Sequence, residues 1–62
     1  MPEAAWNIYE ILNDDGSLTC LELAAQIGVS ERMARKYISL LKANGLIVRI
    51  GSNKTGYWKT KR

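Results

Sequence analysis

Apolar positions along the chain fall into three helical stripes followed by a short β-patterned tail. At about 100° per residue, Ala5, Ile8, Tyr9 and Leu12 share one face of the first segment. Ala4 and Ile11 flank that face, and Glu3, Asn7 and Glu10 lie opposite. The spacing predicts a helix over about residues 2–13. Pro2 suits its first turn, where a missing N–H leaves no bond unmade, and Asn13-Asp14-Asp15-Gly16 supplies turn formers to end it. Trp6 sits at the edge of the stripe and is expected to pack as a half-buried lid.

Cys20, Leu23, Ala24 and Ile27 form a second stripe, predicting a helix over about residues 20–27. Thr19-x-x-Glu22 opens it as a capping box, in which each side chain satisfies an N–H of the other residue. Gly28-Val29-Ser30 then breaks the helix, because Gly28 can take positive φ and Ser30 can cap the next one. Ala34, Tyr37, Ile38 and Leu41 make the third stripe, predicting a helix over about residues 31–44 that Asn44-Gly45 closes. Leu46 to Ile50 is rich in β-branched residues. A turn-forming run with Gly51 and Gly56 at its ends separates it from Tyr57-Trp58-Lys59-Thr60, so a hairpin is expected over about residues 46–60.

The polar side of the third helix carries most of the functional information. Arg32, Arg35, Lys36, Ser39 and Lys42 fall opposite its apolar stripe. Two helices joined by a three-residue turn containing glycine form a helix-turn-helix arrangement. A major groove about 12 Å wide admits one helix, so a helix packed by one face can offer the other to base edges. Arg32 and Arg35 have the reach and fork geometry for guanine, whereas Lys36 and Lys42 suit phosphate. Half or more of protein–DNA hydrogen bonds go to phosphate and sugar, so base contact by either arginine stays an open alternative. A solvated face would ordinarily mix both signs of charge. This one does not.

Charge is sorted along the whole chain. All six acids lie in residues 1–31 and all nine bases in residues 32–62, giving a net charge of +3. Such asymmetry favours a polyanionic partner met by the C-terminal half. Other classes recede on simple grounds. Sixty-two residues hold one thin core and no second domain. An apolar content of 47% is enough to collapse. No uninterrupted apolar run exceeds that of Leu46-Ile47-Val48, far short of the roughly 20 residues of a membrane span. A single cysteine forms no internal disulfide and suits a reducing, cytoplasmic setting. With no histidine, the commonest zinc ligand set and the commonest general base are both missing. The expectation is therefore a non-enzymatic protein with no metal and no cofactor. Cys20 reads as a small buried hydrophobe rather than a redox sensor, having no basic neighbour or second thiol in sequence. Asp14-Asp15 reads as a helix-ending turn rather than part of a metal site.

The run Leu18-Thr19-x-x-Glu22-Leu23-Ala24, then Ile27-Gly28-Val29-Ser30-Glu31-Arg32, Leu41 and Asn44-Gly45-Leu46-Ile47, resembles the winged helix-turn-helix domains of bacterial and archaeal transcription regulators. The ending Arg49 to Trp58 is similar to the C-terminal winged helix of ATP-dependent DNA helicase-like regulators with a Schlafen/AlbA-type N-terminal region. The resemblance covers roughly residues 17–60. It implies a small α+β winged helix: a three-helix core with a two- or three-stranded antiparallel wing, residues 17–19 adding a short strand. It also implies double-stranded DNA as partner, with Ser30, Met33 and the basic residues of helix three at the major groove. The wing would follow backbone phosphates or the minor groove through Arg49, Ser52, Asn53, Lys54 and Thr55. Met33 replaces a residue usually small and polar, and can meet a thymine methyl or pack beside helix two. Leu21, commonly polar in such domains, hints at contact with another domain of a longer parent chain or a second copy. A winged helix serving only protein–protein interaction is the rival reading. Tyr57 and Trp58 offer a further alternative, stacking on bases, although alternation should turn one of them inward.

Overall fold

The fold was described from a computed structural model of the chain. It describes residues 1–51 and 55–61; Ser52, Asn53, Lys54 and Arg62 lie outside the described residues. Three helices, α1 (Glu3–Asp14), α2 (Cys20–Ile27) and α3 (Glu31–Ala43), precede strands β1 (Ile47–Ile50) and β2 (Tyr57–Thr60). The strands pair antiparallel, with Ile47 opposite Thr60, Val48 opposite Lys59, Arg49 opposite Trp58 and Ile50 opposite Tyr57. This is a small α+β winged helix.

Each helix end follows from local sequence. Pro2 is the N-cap of α1 rather than its first helical residue, and the helix runs one residue further than expected, to Asp14. The capping box of α2 is complete. The Glu22 N–H donates to Thr19 Oγ1 at 3.2 Å, and the Thr19 N–H donates to Glu22 Oε1 at 3.0 Å. Gly28 adopts φ 76°, which lets its own N–H and that of Val29 both donate to the Ala24 carbonyl as α2 ends. Ser30 caps α3 by accepting the Met33 N–H at 3.2 Å. At the far end of α3, the Gly45 N–H donates to Lys42 and the Leu46 N–H to Leu41, a Schellman closure. Asn44 is the C-cap there, just outside the helix.

The stripes meet as expected. Ala5, Ile8, Tyr9 and Leu12 of α1, Leu23 and Ala24 of α2, Ala34, Ile38 and Leu41 of α3, and Ile47 of β1 make the buried core. Cys20, Ile27 and Tyr37 are only half-buried and pack at its margin. Full burial of each large aliphatic side chain, such as Ile8, Leu23, Leu41 or Ile47, contributes about 1.5–3 kcal/mol. Trp6 stands 43% exposed, more open than the lid expected of it, and meets Tyr9 edge-on with centroids 5.8 Å apart.

Two polar links hold the hairpin against α1. The Tyr9 hydroxyl donates to the Lys61 carbonyl at 3.2 Å, and the Thr60 hydroxyl donates to Asn13 Oδ1 at 2.6 Å. The expected third strand at residues 17–19 does not form. In its place a single backbone bond, Trp58 N–H to the Gly16 carbonyl at 2.7 Å, ties the loop after α1 to the outer edge of β2. A Cβ on Gly16 would lie 1.9 Å from the Trp58 carbonyl oxygen. Glycine at this position permits that close approach.

Candidate nucleic-acid interface

Helix α3 separates its faces as its sequence predicts. Ala34, Ile38 and Leu41 are buried, while Arg32, Arg35, Lys36, Ser39 and Lys42 are all exposed. Ala34, fully buried and small, allows close packing under the first turns of α3. The geometry of one helix therefore presents four cations and a hydroxyl from a surface held rigid by its opposite side.

The single sign of charge that the sequence suggested for this exposed face does not hold, because Glu31 lies on it one turn before Arg35. Arg35 makes an ion pair with Glu31 one turn earlier, Nη2 to Oε2 at 3.1 Å. Both side chains are well exposed, so the pair contributes no more than about 0.5 kcal/mol and leaves the guanidinium available to a stronger anion. Glu31 also lies in the first turn, where a carboxylate complements the helix dipole. Lys42 occupies the last turn, where a cation does the same. Ser30 is exposed, but its hydroxyl oxygen is occupied by its capping bond. Met33 is 36% exposed, at the first turn of α3.

Alternation along the hairpin turns Trp58 inward to a half-buried position and leaves Tyr57 46% exposed. Arg49, on the same face of the sheet as Trp58, is half-buried rather than free in solvent. Its guanidinium carbon lies 5.1 Å from the centroid of the Trp58 ring, and the Lys42 ammonium lies 5.7 Å from the same centroid. Both distances are in the range of cation–π attraction. Thr55 is exposed at the end of the hairpin loop. The expectations for Ser52, Asn53 and Lys54 fall outside the described residues.

The structure thus brings Arg35, with its partner Glu31, and Lys42, Arg49 and Trp58 to one groove, closed on its other side by Thr19, Cys20 and Leu21 at the start of α2. Arg32 and Lys36 are exposed on α3 but do not line that groove. Sequence reasoning did not find the Trp58 contacts. Setting Ile50 opposite Tyr57, each next to its flanking glycine, would have placed Arg49 across from Trp58. The approach of Lys42 depends on how α3 lies against the hairpin, which no local pattern encodes.

Among the described residues no helix is long and apolar enough to cross a membrane, and no three His, Cys, Asp or Glu side chains are grouped to hold a metal ion.

Residues 6–58 match the HTH domain family, and the chain belongs to that family. No curated protein matches the sequence. Among solved structures, the fold is similar to the zinc-dependent MarR family transcriptional regulator AdcR in its Zn(II)-bound state. The TM-score is 0.84 at 23% identity, over 98% of this chain and 43% of that one. The chain therefore spans less than half the length of the regulator whose fold it shares.

Proposed function

We propose that this chain is the duplex-DNA-binding module of a transcription regulator or helicase-like protein. In this reading α3 enters the major groove and the hairpin follows the backbone. The observation that carries it is the exposed face of α3, where Arg32, Arg35, Lys36 and Lys42 stand on the side opposite a fully packed stripe. Arg32 and Arg35 are assigned to base edges or phosphates near the start of α3, with Ser30 and Met33 beside them. Lys36, Ser39 and Lys42 are assigned to the backbone, together with Arg49 and the loop residues Ser52, Asn53, Lys54 and Thr55. The acids of the first half repel phosphate and so orient the basic face toward it. Membership of the HTH domain family and the winged-helix fold support this reading. The helicase-like context rests on sequence resemblance at residues 49–58 alone.

The test is a duplex titration of the chain across salt concentrations. Binding should be micromolar or weaker and should fall steeply with salt, because released counterions drive it. Replacing Arg35→Ala together with Lys36→Ala should abolish binding and leave the melting temperature nearly unchanged, since both side chains are exposed and their one ion pair is weak. Absence of binding at low salt, or binding insensitive to salt, would overturn the proposal.

One observation favours the protein-interaction reading: Leu21 is 63% exposed at the first turn of α2. Amide shifts on adding random duplex separate the two. They should map to residues 30–39 and 51–57 for DNA, whereas shifts confined to α1 and Leu21 would support the rival.

A further inference from the structure

We propose that Trp58 is a positioning residue for duplex binding: its indole holds Lys42 of α3 and Arg49 of β1 together, so that helix and hairpin act on the DNA backbone as one clamp. The inference rests on the DNA reading above and adds to it a residue that contributes no charge.

Trp58 is fixed from two sides. Its N–H donates to the Gly16 carbonyl at 2.7 Å, and across the hairpin it stands opposite Arg49. Because the Trp58 N–H points away from β1, the Arg49–Trp58 pair is one that exchanges no backbone bonds. Side chains approach each other most closely at such pairs. The guanidinium carbon of Arg49 accordingly lies 5.1 Å from the ring centroid. The Lys42 ammonium reaches the same ring from another element, at 5.7 Å. Two like charges beside one ring repel each other, and among aromatic side chains an indole attracts cations most strongly. No carboxylate lies within ion-pair distance of Lys42 among the described residues.

The consequence concerns order rather than contact. Free lysine and arginine side chains sample many rotamers, and that freedom is lost when each meets a phosphate. A ring that already confines both removes part of that loss before the DNA arrives. It also fixes the spacing between a cation of the helix and a cation of the hairpin. The groove they share with Arg35 lies beside the exposed face of α3. It is thus placed where a strand flanking the major groove would run.

The experiment is a coupled set of substitutions in the 62-residue chain, with duplex affinity read across salt and compared at equal folded fraction. Trp58→Leu keeps an apolar filler but no π-face. It should weaken binding about ten-fold, the loss expected of one hydrogen bond to a charged group. It should also flatten the plot of log K against log salt by roughly 0.9 for each phosphate no longer neutralised. Trp58→Phe retains an aromatic face and should recover most of the affinity and the full salt slope. Lys42→Ala should weaken the wild-type chain several-fold yet add little once Trp58→Leu is present, since residues that act as a unit are not additive. NMR supplies a readout independent of DNA: ring-current shifts on the Lys42 and Arg49 methylene protons, lost in Trp58→Leu.

A purely structural role for Trp58 predicts otherwise: Leu and Phe replacements lower the melting temperature, the salt slope stays put, and Lys42→Ala costs the same in either background. That result, or methylene shifts of ordinary value in the wild-type chain, would overturn this inference and leave the DNA reading standing. Failure of the wild-type chain to bind duplex at low salt would overturn both.

Discussion

Glu3, Glu22 and Glu31 each lie in the first turn of a helix, and Asp15 accepts two hydrogen bonds from Ser17 just beyond α1. Arg32 and Lys36 project from the body of α3, and Lys42 and Arg49 gather on an indole. In the first half of the chain, then, four of six acids sit where a negative charge complements a helix N-terminus or closes a loop. Among the described residues of the second half, only Lys42, in the last turn of α3, serves the helix dipole in the same way. The two halves use charge for different ends. Acids of residues 1–31 help to terminate and start helices, while Arg32, Arg35 and Lys36 stand on an exposed face that the core does not need. Substitutions in the first half should therefore register as lost stability, and substitutions of exposed cations in the second half as lost binding.

The largest expected effect tests the seam between the halves. Gly16 belongs to the acidic half, but a Cβ there would lie 1.9 Å from the backbone oxygen and 3.0 Å from the carbonyl carbon of Trp58. Strand backbone yields less readily than a flexible side chain. Gly16→Ala should cost about 1–3 kcal/mol as the loop is pushed off β2, and in a domain of this size each kcal/mol lowers the melting temperature by roughly 4–8 °C. Calorimetry or circular dichroism measures it. A melting temperature within the error of wild type would mean that the loop does not seat on β2, and the two halves would then be joined through the core and the Tyr9 and Asn13 hydrogen bonds.

Gly16 also shows what a sequence can and cannot display. Its membership of a turn was plain from Asn13-Asp14-Asp15-Gly16, because those residue types favour turns by their own local chemistry. Its contact with Trp58 was not, since 42 residues separate them in sequence and nothing in either neighbourhood marks the other. The same division holds elsewhere. The three stripes, the Thr19–Glu22 box and the Ser30 cap were legible, because periodicity and capping act within one or two turns. The cationic face of α3 was legible for the same reason. The placement of Arg49 was only partly so, as its strand was evident but its half-burial against Trp58 was not. The supposed strand at 17–19 is replaced by a local turn, because the Ser17 N–H and hydroxyl both donate to Asp15 and only Gly16 meets β2.

A smaller effect compares two helix starts of the first half, one at Thr19 and one at Ser30, just before the charge divide. Thr19 closes α2 with a full capping box, whereas Ser30 caps α3 through its hydroxyl alone. Thr19→Ala should cost about 1 kcal/mol of stability, with a smaller change in duplex affinity at equal folded fraction than Ser30→Ala. Ser30→Ala should cost a similar amount or less and should also alter affinity, because it loosens the turn that carries Arg32 and Met33. Chemical denaturation read beside the duplex titration separates the two substitutions. If Thr19→Ala shifted affinity as much as Ser30→Ala, the start of α3 would have no closer tie to binding than the start of α2.

The smallest effect isolates one carboxylate of the first half. The Ser17 hydroxyl first, and then the Ser17 N–H, hold the Asp15 carboxyl below its usual range. They lie 2.6 and 3.0 Å from Asp15 Oδ1. A carboxylate whose folded-state value is depressed stabilises the fold above its unfolded value and loses that contribution as pH falls through the folded one. Wild type should therefore exceed Ser17→Ala slightly in melting temperature at neutral pH. The gap should close as the pH drops from about 4 toward lower values. Arg32→Ala should show no such convergence over that window, because arginine keeps its charge throughout. A Ser17→Ala difference that stays constant on acidification would assign it to the loop backbone rather than to Asp15. Convergence for Ser17→Ala would assign its stabilising share to the Asp15 carboxylate, and a melting temperature unchanged by Arg32→Ala at neutral pH would show that this exposed base does not serve the fold.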